Sequence, residues 1–256
     1  MHIIHGSQTN QGRVRTSNED SFVANPDAGL FLVADGMGGH AAGEIASQLA
    51  ASTIEGMLVR EASPDANVPE ILRLAAEEAN QRVFEAQRQD RALSGMGSTL
   101  TVLFFRGEKY YIAHVGDSRA YRLRNGSLDQ LTRDHSLVWH LYENGVLRKS
   151  DLSTHPQKNL ITRSVGSHPQ VEIDLEQGEA CEGDIFLLCS DGLTDGVTDD
   201  GIRGILNARL SQPQQMADLL VDAANLAGGP DNITVVVVRI AANNTTAGAE
   251  GKPGPP

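Results

Sequence analysis

The sequence predicts an α/β (α+β) sandwich with largely antiparallel sheets. Three observations carry this reading. Short runs rich in Val, Ile, Leu and Phe recur along the chain and are apolar at adjacent positions, as strands buried on both faces are. Longer segments repeat apolar residues at helical spacing. Two helical segments follow the first run directly and strands later follow strands, an order that strict βαβ alternation does not produce.

Residues 30–34 read as the first clear strand and residues 44–58 as the first helix. Residues 69–87 place Ile71, Leu72, Ala75, Ala79 and Val83 on one helical face, with Pro69 suited to the first turn. Residues 99–105 and 110–115 are the next strands, followed by 185–189. A short helix spans residues 200–206. Another, over 213–227, opens on Pro213 and stacks Met216, Leu219, Leu220, Ala223 and Ala227. Residues 233–240 form the last strand. From residue 241 the chain turns to Ala, Asn, Thr, Gly and Pro with nothing to bury. The expectation is one folded domain over residues 1–240 and a disordered tail over 241–256.

The chain has 256 residues, 33 acidic against 21 basic, for a net charge of −12. That balance argues against a nucleic-acid backbone or an anionic membrane as partner. No run approaches the roughly 18 apolar residues of a membrane helix, and the first residues do not form a secretion signal. Two cysteines, Cys181 and Cys189, cannot make a disulfide framework and fit a reducing cytoplasm. Both are expected to be packing residues.

Aspartates recur at strand ends. Asp35-Gly36 follows residues 30–34, Asp117 follows 110–116, Asp191-Gly192 follows 185–190, and Asp231 precedes the last strand. An Asp-Gly pair often marks a hairpin turn, but neither pair leads directly into a second strand. If the strands share a layer, the carboxylates converge, and two bare carboxylates about 5 Å apart repel by roughly 3 kcal/mol at an effective dielectric near 20. Cations would offset that, and oxygen ligands select magnesium, manganese or calcium over zinc. Beside Asp35, His40 is suited to donate a proton. Arg15, near Glu19 and Asp20, could clamp a phosphate.

Other motifs carry less. Gly36-Met37-Gly38 begins a pattern like a dinucleotide-binding turn, but Asp35 would repel a pyrophosphate and no βαβ strand follows. No Walker loop is present, and local acids would raise the Cys189 thiol and weaken it as a nucleophile.

The segments Val14-Arg15, Asn18-Glu19-Asp20, Val33-Ala34-Asp35-Gly36-Met37-Gly38-Gly39-His40, Met96-Gly97-Ser98-Thr99, His114-Val115-Gly116-Asp117-Ser118-Arg119, Leu188-Cys189-Ser190-Asp191-Gly192-Leu193 and Gly229-Pro230-Asp231-Asn232-Ile233-Thr234 together resemble the bacterial form of the metal-dependent protein phosphatases of type 2C. They occur in family order across residues 6–240. The resemblance implies an αββα sandwich of two antiparallel sheets flanked by helices, with a flap over residues 134–159. It implies phosphoserine and phosphothreonine hydrolysis on proteins by direct attack of a metal-bridging hydroxide. Asp35 and the Gly36 carbonyl would ligate metal with Asp191 and Asp231, and Asp117 would help hold a weaker third ion. Arg15 would bind the substrate phosphate and His40 would protonate the leaving oxygen. Glu19, Asp20 and Asn232 would act around the ligands. Two Mn2+ or Mg2+ ions, and a third at Asp117, are the implied cofactors. Phosphoproteins, opposed by a serine/threonine kinase, are the implied partners of a cytoplasmic monomer. Two alternatives remain: a phosphatase-like scaffold that binds without turnover, and the dinucleotide reading at Gly36-Met37-Gly38.

Overall fold

The computed structural model describes residues 1–38, 41–60, 67–208 and 212–242. Along the chain, β1 (His2–Asn10), β2 (Asp20–Asn25) and β3 (Leu30–Met37) precede two long helices, α1 (Ala41–Leu58) and α2 (Val68–Gln89). Strands β4 (Gly97–Ser98), β5 (Leu100–Arg106), β6 (Lys109–Val115), β7 (Arg119–Arg124) and β8 (Ser127–Gln130) follow. After α3 (Leu137–Glu143) come β9 (Asp174–Glu179) and β10 (Ile185–Cys189). The short α4 (Asp191–Thr194), α5 (Asp199–Leu206), α6 (Pro213–Leu226) and β11 (Ile233–Ala241) complete the fold.

One sheet runs β1-β11-β10-β7-β8 and the other β2-β3-β5-β6-β9, with β4 paired to β3. Every pairing is antiparallel. α1 and α2 cover the second sheet, and α6 packs on β1 and β11 of the first. The layers are therefore αββα, as expected.

The doubly buried strands explain their unbroken apolar sequence. In β3, Phe31 and Val33 face the other sheet, while Leu30, Leu32 and Ala34 face α1 and α2. In β10, Phe186 and Leu188 point between the sheets, and Ile185, Leu187 and Cys189 point to the α6 side. Phe186 lies 5.3 Å from Phe105 and 5.1 Å from Tyr110, ring centre to ring centre. Full burial of such a ring contributes about 1.5–3 kcal/mol, so this middle layer fixes the sheets against each other.

Strands β1, β2, β4, β7, β8 and β9 escape the apolar-run signal. β1, β2, β8 and β9 are sheet edges, where one flank is unpaired and charge is tolerated. β7 is interior, but its buried Ala120, Tyr121 and Leu123 are interspersed with arginines. Several boundaries differ from expectation, most by one to three residues. β3 continues through Asp35 and Gly36, and the expected polar stretch after Asp191 is helix α4. β11 reaches Ala241, one residue into the expected tail. The rest of that tail, residues 243–256, lies outside the described residues.

Candidate active site

The aspartates meet at strand ends from both sheets, at one end of the sandwich. Asp20 and Asp35 are direct partners across β2 and β3. The Asp35 carbonyl accepts from the Thr99 amide at 2.9 Å and the Ser98 hydroxyl at 3.1 Å, and the Asp35 amide donates to Thr99 Oγ1 at 2.9 Å. Gly36 is held by close approach and not by a turn. A Cβ there would lie 2.0 Å from the Gly43 carbonyl, where α1 crosses the strand.

From the other sheet, Asp191 opens α4 directly after β10, and Asp231 precedes β11. Ser190 ties the sheets together: its hydroxyl donates to Asp20 Oδ2 at 2.8 Å and its oxygen accepts from the Thr234 amide at 3.0 Å. A Cβ on Gly192 would lie 2.0 Å from the Asn232 carbonyl, so the loops bearing Asp191 and Asp231 touch. Asp117 follows β6 in a turn whose Gly116 has φ +111° and packs against Thr99.

The convergence has an electrostatic consequence. Burial first, and then the charges of Asp20, Asp191, Asp117 and Asp231, push the Asp35 carboxyl well above the usual range. Asp191 is raised in the same way by burial, Asp117 and Asp231. Burial lifts Asp20 to about 6, against the pull of its hydroxyl partners. It lifts Asp117 to about 7, aided by Asp134 and opposed by Arg119. Asp20 Oδ1, Asp117 Oδ1 and Asp191 Oδ1 are buried without a hydrogen-bond partner. Buried carboxylate oxygens without a donor in an acidic cleft fit hard divalent cations. Among the described residues no three His, Cys, Asp or Glu side chains form a ready-made cage. An ion there would take few protein carboxylates and complete its shell with carbonyl and solvent oxygens.

Arg15 reaches the same cleft, its Nη2 donating to Asp231 Oδ2 at 2.6 Å. Asn232 is a hub. Its Oδ1 accepts from the Glu19 amide at 2.9 Å, and its Nδ2 donates to the Gln11 and Ser17 carbonyls at 2.9 and 2.8 Å. The Glu19 carbonyl in turn accepts from the Gly36 amide at 3.2 Å and the Ser47 hydroxyl at 2.6 Å. Of the residues read from the sequence, Arg15, Glu19, Asp20, Asp35, Gly36, Asp117, Asp191, Asp231 and Asn232 gather here. His40 lies outside the described residues.

The flap segment is structured, with α3 and a 3-10 turn over Lys149–Thr154. It roofs a cavity of about 490 Å³ that reaches Asp117 and Asp191, with Trp139 and Leu152 on the flap side and Asp195 and Val197 opposite. Lys158 pairs with Asp195 at 2.5 Å and Lys149 with Asp199 at 3.6 Å. His135, which carried no sequence signal, roots the flap. Its Nδ1 accepts from the Gly116 amide at 3.0 Å, and its amide donates to the Gly116 carbonyl at 2.7 Å. Nε2 lies 3.2 Å from Asp174 Oδ2 and 2.9 Å from Arg163 Nη1, so the ring is held from both sides. The cysteine expectation divides. Cys189 is buried and its thiol is pushed up to about 12, by burial more than by neighbouring acids, while Cys181 is exposed and is not a packing residue.

A two-sheet αββα fold with an acidic cleft at its strand ends defines the class, and comparison with known proteins identifies it. The profile of the family "Protein phosphatase 2C" matches residues 8–227. The chain belongs to this family. It is 39% identical over 238 residues to the serine/threonine protein phosphatase PstP of Mycobacterium tuberculosis, covering 93% of this chain and 45% of that protein. It is 38% identical over 237 residues to the serine/threonine phosphatase stp of Listeria welshimeri, covering 90% of this chain and 93% of the relative. The chain thus spans about half the length of PstP but nearly all of stp. A crystal structure of the PstP catalytic domain in complex with two manganese ions superposes with a TM-score of 0.85 at 37% identity, over 94% of this chain and 99% of that one.

Proposed function

We propose that residues 1–240 form a metal-dependent phosphatase domain that hydrolyses phosphoserine and phosphothreonine on proteins. The observation that carries this is the set of orphaned carboxylate oxygens on Asp20, Asp117 and Asp191, packed around Asp35. Asp35, the Gly36 carbonyl, Asp191 and Asp231 would hold two Mn2+ or Mg2+ ions, and Asp117 with Asp191 a third. Bound there, the ions would supply an ionised water and neutralise phosphoryl oxygens. The chain's own residues do the rest. Arg15 offers its guanidinium to the phosphate, a fork suited to bidentate contact. Asp20, Glu19 and Asn232 hold the ligand strands in register. The family pattern gives His40 the protonation of the leaving oxygen.

Nothing in the site favours the dinucleotide alternative: Gly36 and Met37 are strand residues paired with β4, and antiparallel strands flank β3. A binding-only scaffold would not need the complete set of acids together with Arg15. A serine/threonine kinase is the opposing partner we propose, with the enzyme acting in the cytoplasm as a monomer. No helix among the described residues is long and apolar enough to cross a membrane.

The test is hydrolysis of phosphoserine, phosphothreonine and phosphotyrosine peptides with Mn2+, Mg2+ or EDTA. Turnover of the first two that EDTA abolishes is expected, and Asp35→Asn should lose Mn2+ binding and at least about a hundredfold in kcat/KM, on the order of 2.7 kcal/mol in the barrier. Full activity in Asp35→Asn, or turnover indifferent to EDTA, overturns the reading.

A further inference from the structure

Arg15 and Asp231 hold two proposed roles that collide in one contact. Arg15 is the phosphate clamp, Asp231 a metal acid, and the two form an ion pair at 2.6 Å. We propose that the Arg15 guanidinium competes with divalent metal for the Asp231 carboxylate, so that metal binding at Asp231 frees Arg15 for the substrate phosphate. The proposal rests on the phosphatase reading above.

The geometry for such an exchange is built by the backbone. Residues 11–19 are clamped to residues 229–232: the Arg13 amide donates to the Gly229 carbonyl at 2.8 Å, and Asn232 Nδ2 bonds the Gln11 and Ser17 carbonyls. Gly12, at φ +79°, is pressed so close that a Cβ would sit 2.1 Å from the Asp231 carbonyl. The Arg15 carbonyl accepts from Gln11 Nε2 at 2.6 Å. The main chain under Arg15 is therefore held beside Asp231, while its side chain is 51% exposed and able to swing.

Arg119 shows the contrast. It is half-buried, 21% exposed against 51% for Arg15, and is forked onto Asp134 by three contacts of 2.6–3.0 Å, with a fourth to Tyr121 Oη that locks it in place. Arg15 has one charged partner contact and a second oxygen of that partner, Asp231 Oδ1, is taken by the Asn232 amide at 2.8 Å. Two cations drawn to one carboxylate repel each other, and the more mobile one leaves. A dianionic phosphate beside the metals then offers Arg15 a stronger partner than the carboxylate it lost. The arrangement makes metal loading precede phosphate capture through a single side chain.

Mn2+ alone, titrated calorimetrically into wild type, Arg15→Gln, Arg15→Lys and Asp35→Asn without phosphate, tests this. Removing a partly exposed competitor should tighten Mn2+ binding about two- to fivefold in Arg15→Gln, with Arg15→Lys between it and wild type. Affinity in Arg15→Gln equal to or weaker than wild type overturns the proposal. If thermal melts in EDTA show Arg15→Gln to be unfolded, Arg15→Lys decides by the same criterion. Failure of the underlying reading looks different: wild type would bind no Mn2+, or Asp35→Asn would bind it as wild type does.

Discussion

Asn232 organises more of the site than its uncharged side chain suggests. It is buried, and its amide joins the Gln11, Ser17 and Glu19 backbones to the loop that carries Asp231. Asn232→Ala would leave two carbonyls and one amide without partners, each such loss costing about 1–3 kcal/mol if water cannot replace it. We expect a stability loss of about 2–3 kcal/mol by urea denaturation, together with weaker Mn2+ binding. A variant as stable as wild type would show that solvent takes over these bonds. Asn232→Asp should be no better, because it removes both donors and adds charge to an acidic cleft. Asn232 was legible as part of the Gly229-Pro230-Asp231-Asn232 segment, but the three backbones it binds lie more than 200 residues away in sequence. Gly36 and Gly192 teach the same lesson: each Asp-Gly pair invites a turn assignment, whereas each glycine is required by a neighbour that a Cβ would strike at 2.0 Å.

At the level of elements, the flap is fastened at its root by His135 and at its far side by Lys158 and Lys149. The root is buried and its bonds are satisfied, while the lysine pairs are partly exposed. Lys158→Ala should therefore change stability by less than about 1 kcal/mol. It should nonetheless alter Trp139 fluorescence and raise KM for a phosphopeptide severalfold, with little change in kcat for a small aryl phosphate. Unchanged KM and fluorescence together would show that the flap is positioned by its root alone. Sequence reading located this segment but could not assign its structure. The Ser136 side chain that caps α3 and the Asp151 carboxylate that accepts from the Arg148 amide are short, common patterns, and His135 has no distinguishing neighbour in sequence.

For the molecule as a whole, the acid cluster sets opposing demands of stability and function. Asp20 and Asp117 sit at about 6 and about 7, against an ordinary value of 3.8. A group raised on folding adds stability that is complete below its unfolded pKa and is lost as pH rises through its folded pKa. In EDTA, stability should thus decline as pH rises from about 6.5 to 8. His114, lowered to about 3 by burial, makes stability rise with pH up to about 6.5, where the unfolded imidazole loses its proton; above that it is neutral in both states and leaves the decline to the acids. Saturating Mn2+ should abolish or reverse the slope, because the carboxylates are then wanted ionised. Urea denaturation across that pH range, with and without Mn2+, measures it; a flat or rising profile in EDTA would contradict the cluster's electrostatics.

The sequence by itself determined the doubly buried strands, the three long helices and the identity of the acids, since these depend on local periodicity and on motif residues standing next to one another. Only the tertiary structure decided that Asp20 faces Asp35 across two strands, that Ser190 joins the sheets, and that Arg15 rests on Asp231. Those contacts join residues 15 to more than 200 positions apart. The edge strands and the flap root were likewise settled by packing, because a strand paired on one side needs little apolar surface and so leaves little trace in the chain's pattern.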